Sequence, residues 1–301
     1  MSDQVVGQVT ATPDPPPTGI RNPIHDAEGA DGAGYTGALV AGVRTYGWAA
    51  QTIVRALGDA WLDSGWADVS LRRPLFAGEE VTLTMTPPDS ADRTAAWTLT
   101  CRASGQGGDR IVLDGSAGSG DAPWLADLDP PAPAAGQDPP AIRSTYDLDS
   151  IPVDPLRPLA TYVKAEAARR LLTNDLGLTD ADALAPYVSS DPPRIHPYFV
   201  AGRMAPLTRH NFTYGPTIHV RSQIQHHGPA FANREMTVGA RIVDAYDRNG
   251  HCYQVLDGVV TSATGARPAE NLQRVAHIRH HTIFRPRGTT MPEAVRSSEL
   301  E

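Results

Sequence analysis

Short segments of this 301-residue chain recur in the same order in its two halves. Val40-Ala41-Gly42 returns as Val200-Ala201-Gly202. Phe76-Ala77-Gly78-Glu79-Glu80-Val81-Thr82 returns as Phe231-Ala232-Asn233-Arg234-Glu235-Met236-Thr237. Val112-Leu113-Asp114-Gly115 returns as Val255-Leu256-Asp257-Gly258. Three matches in one order at similar offsets predict a duplicated fold, with a period far longer than a solenoid repeat. At 41% hydrophobic residues the chain can fill two cores. Between the halves, residues 119–141 are rich in Pro, Ala and Asp and read as an extended linker. The expected layout is a first domain over 1–118, the linker over 119–141, a second domain over 142–285 and a frayed tail over 286–301. Residues 13–17, Pro-Asp-Pro-Pro-Pro, form a stiff lead-in.

Each half reads as a helix followed by a meander of strands. From Gly42 to Leu62, Val43, Tyr46, Ala50, Ile53, Val54 and Leu57 fall at the three-and-four spacing of an amphipathic helix. Residues 66–76, 80–86, 95–103 and 109–117 are then strand-like, rich in β-branched side chains and bounded by Gly, Pro and Asp. In the second half, 158–172 and 196–209 read as helical. Residues 217–227, 235–246, 251–262 and 271–284 alternate as strands, with a hairpin turn at Asn249-Gly250. A helix on a curved antiparallel sheet, twice, is an α+β chain.

A net charge of −8 and a pI near 5.7 argue against a nucleic-acid partner and against a polybasic membrane anchor. No stretch approaches the roughly 18 apolar residues of a membrane span. The N-terminus lacks the basic-then-apolar pattern of a secretory signal. Cys101 and Cys252 are too few for a disulfide framework and read as buried thiols. These features together predict a cytoplasmic protein.

Asn22-Pro23-Ile24-His25 precedes a Gly-rich run, Ala33-Gly34-Tyr35-Thr36-Gly37-Ala38-Leu39-Val40-Ala41-Gly42, that leads into the first helix. This arrangement resembles the hydratase motif of MaoC-like hot-dog proteins. Arg73 to Glu79 resembles the strand and turn that follow the helix in that family. In the second half, Gly215 to Ser222 looks like a signature of double hot-dog members, and Arg248 to Gly250 and Ala276-His277-Ile278 fit it. The resemblance covers roughly residues 20–118 and 195–285. It implies a tandem, or double, hot-dog fold, each half a central helix wrapped by a curved antiparallel sheet. It also implies that the halves pair within one chain as a pseudo-dimer with the helices outside, and that a further homodimer could form.

The chemistry implied is addition or removal of water across an enoyl or 3-hydroxyacyl thioester, a hydro-lyase activity. Coenzyme A or an acyl carrier protein would carry the substrate, and no cofactor is needed. His25 would move the proton, and Asn22 would hold water or orient His25. Gly37, Val40, Ala41 and Gly42 would bring backbone N–H groups and close approach to the thioester oxygen. The family's Asp, two residues before the Asn, is here Ile20, which cannot exchange a proton. Asp26 and Asp31 lie nearby without the family spacing. The second half lacks an Asn-Pro-x-His element, its nearest counterpart being Pro193 to Pro197, so at most one active site is expected. The loss of the Asp leaves two alternatives open. One is a diverged biosynthetic enzyme catalysing cyclisation, isomerisation or elimination, and the other is a non-catalytic scaffold that binds acyl thioesters.

His219, Arg221, Gln223, Gln225 and His227 share one strand face by period two. That face could line the site or a groove for a nucleotide-bearing carrier. It could equally be solvated or contact the other half. His277, His280 and His281 have no carboxylate or Cys at a matching spacing, so no metal is expected. Arg72 and Arg73 read as exposed strand charge.

Overall fold

The computed structural model describes residues 3–14, 22–32, 34–89, 95–213, 215–264, 271–290 and 292–299. Elements of the first half are β1 (Val5–Thr10), a 3-10 turn (Pro23–His25), α1 (Ala27–Gly32), α2 (Gly42–Leu57), α3 (Trp61–Ser64), β2 (Gly65–Leu71), β3 (Glu80–Thr86), β4 (Trp97–Ser104) and β5 (Arg110–Ser119). Those of the second are β6 (Ile142–Arg143), β7 (Leu159–Tyr162), α4 (Ala165–Arg170) running into a π turn (Leu171–Asp175), α5 (Ala181–Val188), α6 (Pro197–Ala201), α7 (Met204–Asn211), β8 (Ile218–His226), β9 (Glu235–Arg248), β10 (His251–Ala263), β11 (Leu272–Arg285) and β12 (Val295–Arg296).

Ten strands form one antiparallel sheet in the order β1-β3-β4-β5-β2-β8-β11-β10-β9-β7. Each half contributes five in the same sequence, and the halves meet where β2 pairs with β8. The duplication is therefore real, but only one of the three sequence matches is structurally equivalent. Phe76 and Phe231 each bridge the residue three before a helix, Leu39 and Arg194 respectively. Gly78 and Asn233 both take positive φ, 87° and 59°, at the same turn. One spacing along the chain relates all three pairs, and it aligns Gly42 with Pro197. The Val-Ala-Gly match is thus displaced, since Gly202 lies after α6 rather than at its start. The Val-Leu-Asp-Gly match pairs β5 with β10, whereas β5 answers to β11 by position. By the same spacing Asp68 answers to Gln223, and these two residues face each other across the seam. The local two-fold axis passes through them. Arg221 forks onto Asp68 at 2.8 and 2.6 Å and Gln223 Nε2 donates to it at 3.0 Å.

Strands β3 and β4 alternate, with one face buried, whereas the end of β8 and most of β10 are buried on both faces. The helices depart more. Helix α2 stops at Leu57 rather than Leu62, where Gly58 takes φ 84° and donates its N–H to Val54 O at 2.7 Å. Residues 159–162 form an edge strand where a helix was expected. Thr161 and Tyr162 favour extended backbone, and β9 offers them a partner. Helix α2 also does not lie outside. It is buried from Arg44 to Val54, with the sheet on one side and α6 and the π turn on the other. Gly47 makes that second contact possible: a Cβ there would stand 2.7 Å from Leu176 Cδ2 and 2.9 Å from Tyr198 Cβ. Trp48 Nε1 seals it, donating to Leu176 O at 3.1 Å.

The segment expected as a linker is strapped across the second half. Ala122 N–H donates to Gln225 and Asp129 N–H to Asp257, each at 2.7 Å, and Arg279 reaches Asp127 O. The tail expected to fray instead pairs β12 with β6 at the start of the second half. One apolar core runs through both halves. No helix among the described residues is long and apolar enough to cross a membrane.

Candidate functional site

Asn22-Pro23-Ile24-His25 forms a tight 3-10 turn, with Pro at its first position where no N–H is needed. Ile24 anchors the turn in a small cluster with Ala30, Leu39 and Phe76. Both ends of the Asn22 amide are taken by Thr217 of the second half. Nδ2 donates to Thr217 O at 2.6 Å and Thr217 N–H donates to Oδ1 at 3.2 Å. Asn22 thus clasps the turn to the opposite half.

His25 Nδ1 faces two oxygens, Leu39 O at 2.8 Å and Asp14 Oδ2 at 3.0 Å. Two acceptors at one nitrogen assign it the ring proton, which leaves the lone pair on Nε2. Asp14 was not anticipated. It lies in the lead-in, fixed by buried Arg44 through Thr12 O and Pro13 O, each at 2.9 Å, and through its own carboxylate at 2.8 Å. Burial raises the Asp14 carboxyl, but hydrogen bonds and charge from His25 and Arg44 outweigh that and hold it below the ordinary carboxylate range. Asp14 is therefore an anion that orients an imidazole, as in a nucleophile triad's third member. Asp26 instead accepts Gly29 N–H at 2.7 Å and starts α1. The Ile20 position lies outside the described residues, as does most of the Pro-rich lead-in.

The predicted backbone donors divide. Val40 N–H is committed to Leu75 O at 2.9 Å, and Ala41 N–H to the Asp14 carboxylate at 3.1 Å. Gly37 is not part of the cavity wall and sits near Phe76 and Gln106. Gly42 lines the cavity and, with Val43, opens the first turn of α2. Among the described residues neither of these N–H groups meets an acceptor. The positive end of a sixteen-residue helix thus points two donors at the cavity.

His219 joins them through a β-bulge. Thr282 pairs with His219 and His281 with Arg221, so Val220 is the extra residue. The bulge turns His219 away from Arg221 and Gln223, which stay on the other face with Asp68 and do not line the cavity. His219 Nε2 lies 2.8 Å from Ser222 Oγ, and that hydroxyl lies 3.0 Å from His280 Nδ1. Burial pushes His219 down to about 4 and His280 well below its ordinary value, so both rings are neutral near pH 7. A Cβ at position 42 would stand 2.4 Å from Leu71 Cδ2 and 3.1 Å from His219 Nδ1. Glycine is what lets this imidazole reach the helix terminus.

These groups share a cavity of about 630 Å³ between the halves, also lined by Tyr198, Phe199, Arg203 and Thr282. That volume is ordinary for a small-molecule site. The segment 193–197 is not a second Asn-Pro-x-His turn. By position it matches the entry to α2, and His196 stands where Ala41 does. His196 Nδ1 accepts Tyr198 N–H at 3.1 Å, its other nitrogen meets Gln51, and its ring is fully buried against Tyr187.

No protein-family model matches the sequence, and no curated protein matches it. Solved structures do share its fold. A protein described as a MaoC domain dehydratase from Chloroflexus aurantiacus superimposes with a TM-score of 0.58 at 12% identity, covering 95% of each chain. A MaoC-like dehydratase superimposes with a TM-score of 0.54 at 15% identity, over 87% of this chain and 89% of the other. A conserved hypothetical protein from Mycobacterium tuberculosis, described as having a double hot-dog fold, gives 0.53 at 15% identity over 86% of each chain.

Proposed function

The chain has a double hot-dog fold, and from that premise we propose that it hydrates or dehydrates an acyl thioester in the cavity between its halves. The observation that carries this reading is His25, pinned by Asp14 and Leu39 O beside the open N-terminus of α2. The descriptions of two structural neighbours as dehydratases support it.

In hydration, a water oxygen bonds to the third acyl carbon as His25 Nε2 takes the water's proton. The electron pair of the double bond moves to the thioester oxygen. The N–H groups of Gly42 and Val43 meet that developing charge. His219, neutral because of its burial, presents Nδ1 beside them, a donor in the tautomer whose Nε2 accepts from the Ser222 hydroxyl. A neutral imidazole at a helix N-terminus is suited to polarising a carbonyl. The imidazolium of His25, stabilised by Asp14, then returns its proton to the second acyl carbon. Water is added in full and every protein group regains its starting state. Dehydration is the reverse. Coenzyme A or an acyl carrier protein would present the thioester.

The test is loss of the conjugated thioester absorbance with short and medium enoyl-CoA substrates, in the wild type and in His25→Ala. Turnover that the variant loses supports the reading. Folded wild-type protein that binds the thioesters but turns none over at any chain length would overturn it.

A further inference from the structure

Among the described residues, several arginines shielded from solvent hold a carboxylate, buried Arg143 is instead satisfied by Ser297 Oγ and Arg209 O, and half-buried Arg203 differs from both. Arg44 holds Asp14, Arg110 holds Glu79, Arg194 holds Asp63 and Arg279 holds Asp257. Arg203, in the break between α6 and α7, holds no carboxylate among the described residues. Its guanidinium lies 3.8 Å from the centroid of the Phe199 ring, and its Nε donates to Phe199 O at 3.1 Å. Both terminal nitrogens are without an acceptor among the described residues. Arg203 lines the cavity, and so does Arg209. Asp175, which also lines the cavity, accepts the Tyr198 hydroxyl. Burial first, and the like charge of Arg209 after it, push Arg203 down to about 10, which still leaves it charged near neutral pH.

A desolvated cation with no counter-ion is costly, and a bound anion removes that cost. The Phe199 ring fixes the guanidinium plane, so its outer edge presents a two-pronged donor, the geometry that matches a carboxylate. Its distance from the reacting end selects among anions. Gly202 packs on the first turn of α2, where a Cβ would stand 3.5 Å from Val43 Cγ2. Val43 also supplies one of the open N–H groups. Arg203 thus shares the cavity with the proposed thioester site, within reach of an acyl group there, whereas the phosphates of a carrier are separated from the thioester by the whole pantetheine arm.

We propose that Arg203 is a subsite for a carboxylate on the acyl group, so that the preferred substrates are thioesters of dicarboxylic acids. This deepens the thioester reading and rests on it.

The experiment compares two enoyl thioesters of matched length, one ending in a methyl group and one in a carboxylate. Each is offered on coenzyme A and on pantetheine, which lacks phosphate. Wild type should prefer the carboxylated acyl group on both carriers, and Arg203→Met should collapse that preference by about 10²-fold. Arg203→Lys, which keeps the charge without the fork, should retain part of it. A loss seen only on coenzyme A would assign Arg203 to carrier phosphate and overturn the proposal, as would equal use of both acyl groups by the wild type. Calorimetric binding of the saturated thioesters, which cannot react, runs in parallel. A carboxylate preference in binding that Arg203→Met abolishes would uphold the subsite even if the hydration chemistry failed. Equal binding of the two acyl groups would sink it independently of turnover.

Discussion

At the residue scale, the position of His25 in a motif was legible and its Asp14 partner was not. His25 sits in a motif whose order along the chain carries the signal. Asp14 lies eleven positions earlier among prolines, and nothing in its neighbours marks it. Only Arg44, folding the lead-in back onto α2, brings it to the ring. Replacing Asp14 by Asn removes the anion beside the ring, while Leu39 O still accepts from Nδ1. Turnover should fall about 10²- to 10⁴-fold with substrate affinity little changed, measured as kcat against KM. Undiminished kcat in Asp14→Asn would mean that His25 needs no orienting carboxylate. Asn22 shows the opposite kind of gap. Its place in the motif was readable, but its bonds run to Thr217, a residue about 200 positions away that no local pattern names.

At the element scale, alternation located β3 and β4 well because one buried face enforces period two there. It could not foresee an inserted residue. A strict alternation puts His219 with Arg221 and Gln223, and the Val220 bulge moves it to the cavity. The consequence is testable at Gly42. Gly42→Ala puts a methyl against Leu71 and His219, so a denaturant melt should show a loss of about 1–3 kcal/mol from overpacking. Activity should fall as well, through the displaced imidazole. A fully active, fully stable Gly42→Ala protein would remove His219 from the site. The matched turns offer a second comparison. Gly78→Ala forces a positive φ on a residue with a Cβ and should cost about 1–2 kcal/mol. Asn233 tolerates the same backbone better than Ala would, and its Oδ1 also accepts Ala165 N–H at 3.0 Å. Asn233→Ala should therefore be the more damaging change of the two in thermal melts.

At the scale of the whole molecule, three buried histidines and the half-buried His219 of the cavity wall set the response to acid. Burial pushes His196 and His226 down to about 3 and His219 to about 4, with His280 also lowered. An unfolded chain begins to bind protons at these positions as pH drops through about 6.5, while the fold resists until far lower. Their contribution is thus complete above that value and is lost as pH falls toward the folded values. The slope approaches about 1.4 kcal/mol per pH unit for each group. Urea midpoints should fall steeply between pH 6.5 and 5, and a flat profile over that window would contradict the neutral assignment of these rings. His226→Leu should flatten the profile in part, since its buried Nε2, beside Trp61, has no partner among the described residues. The duplication itself was legible, although two of the three segments that suggested it are not structural equivalents. Its symmetry is not carried into the two helix termini. The α2 terminus is open, whereas the matching α6 terminus is closed by the His196 ring. Ligand titrations should therefore saturate at one equivalent per chain. Two self-paired copies of the first half would rebuild the seam of the sheet but would lack His219 and Arg203. On the proposed chemistry, the two halves have divided roles that symmetric assembly of one half would not supply.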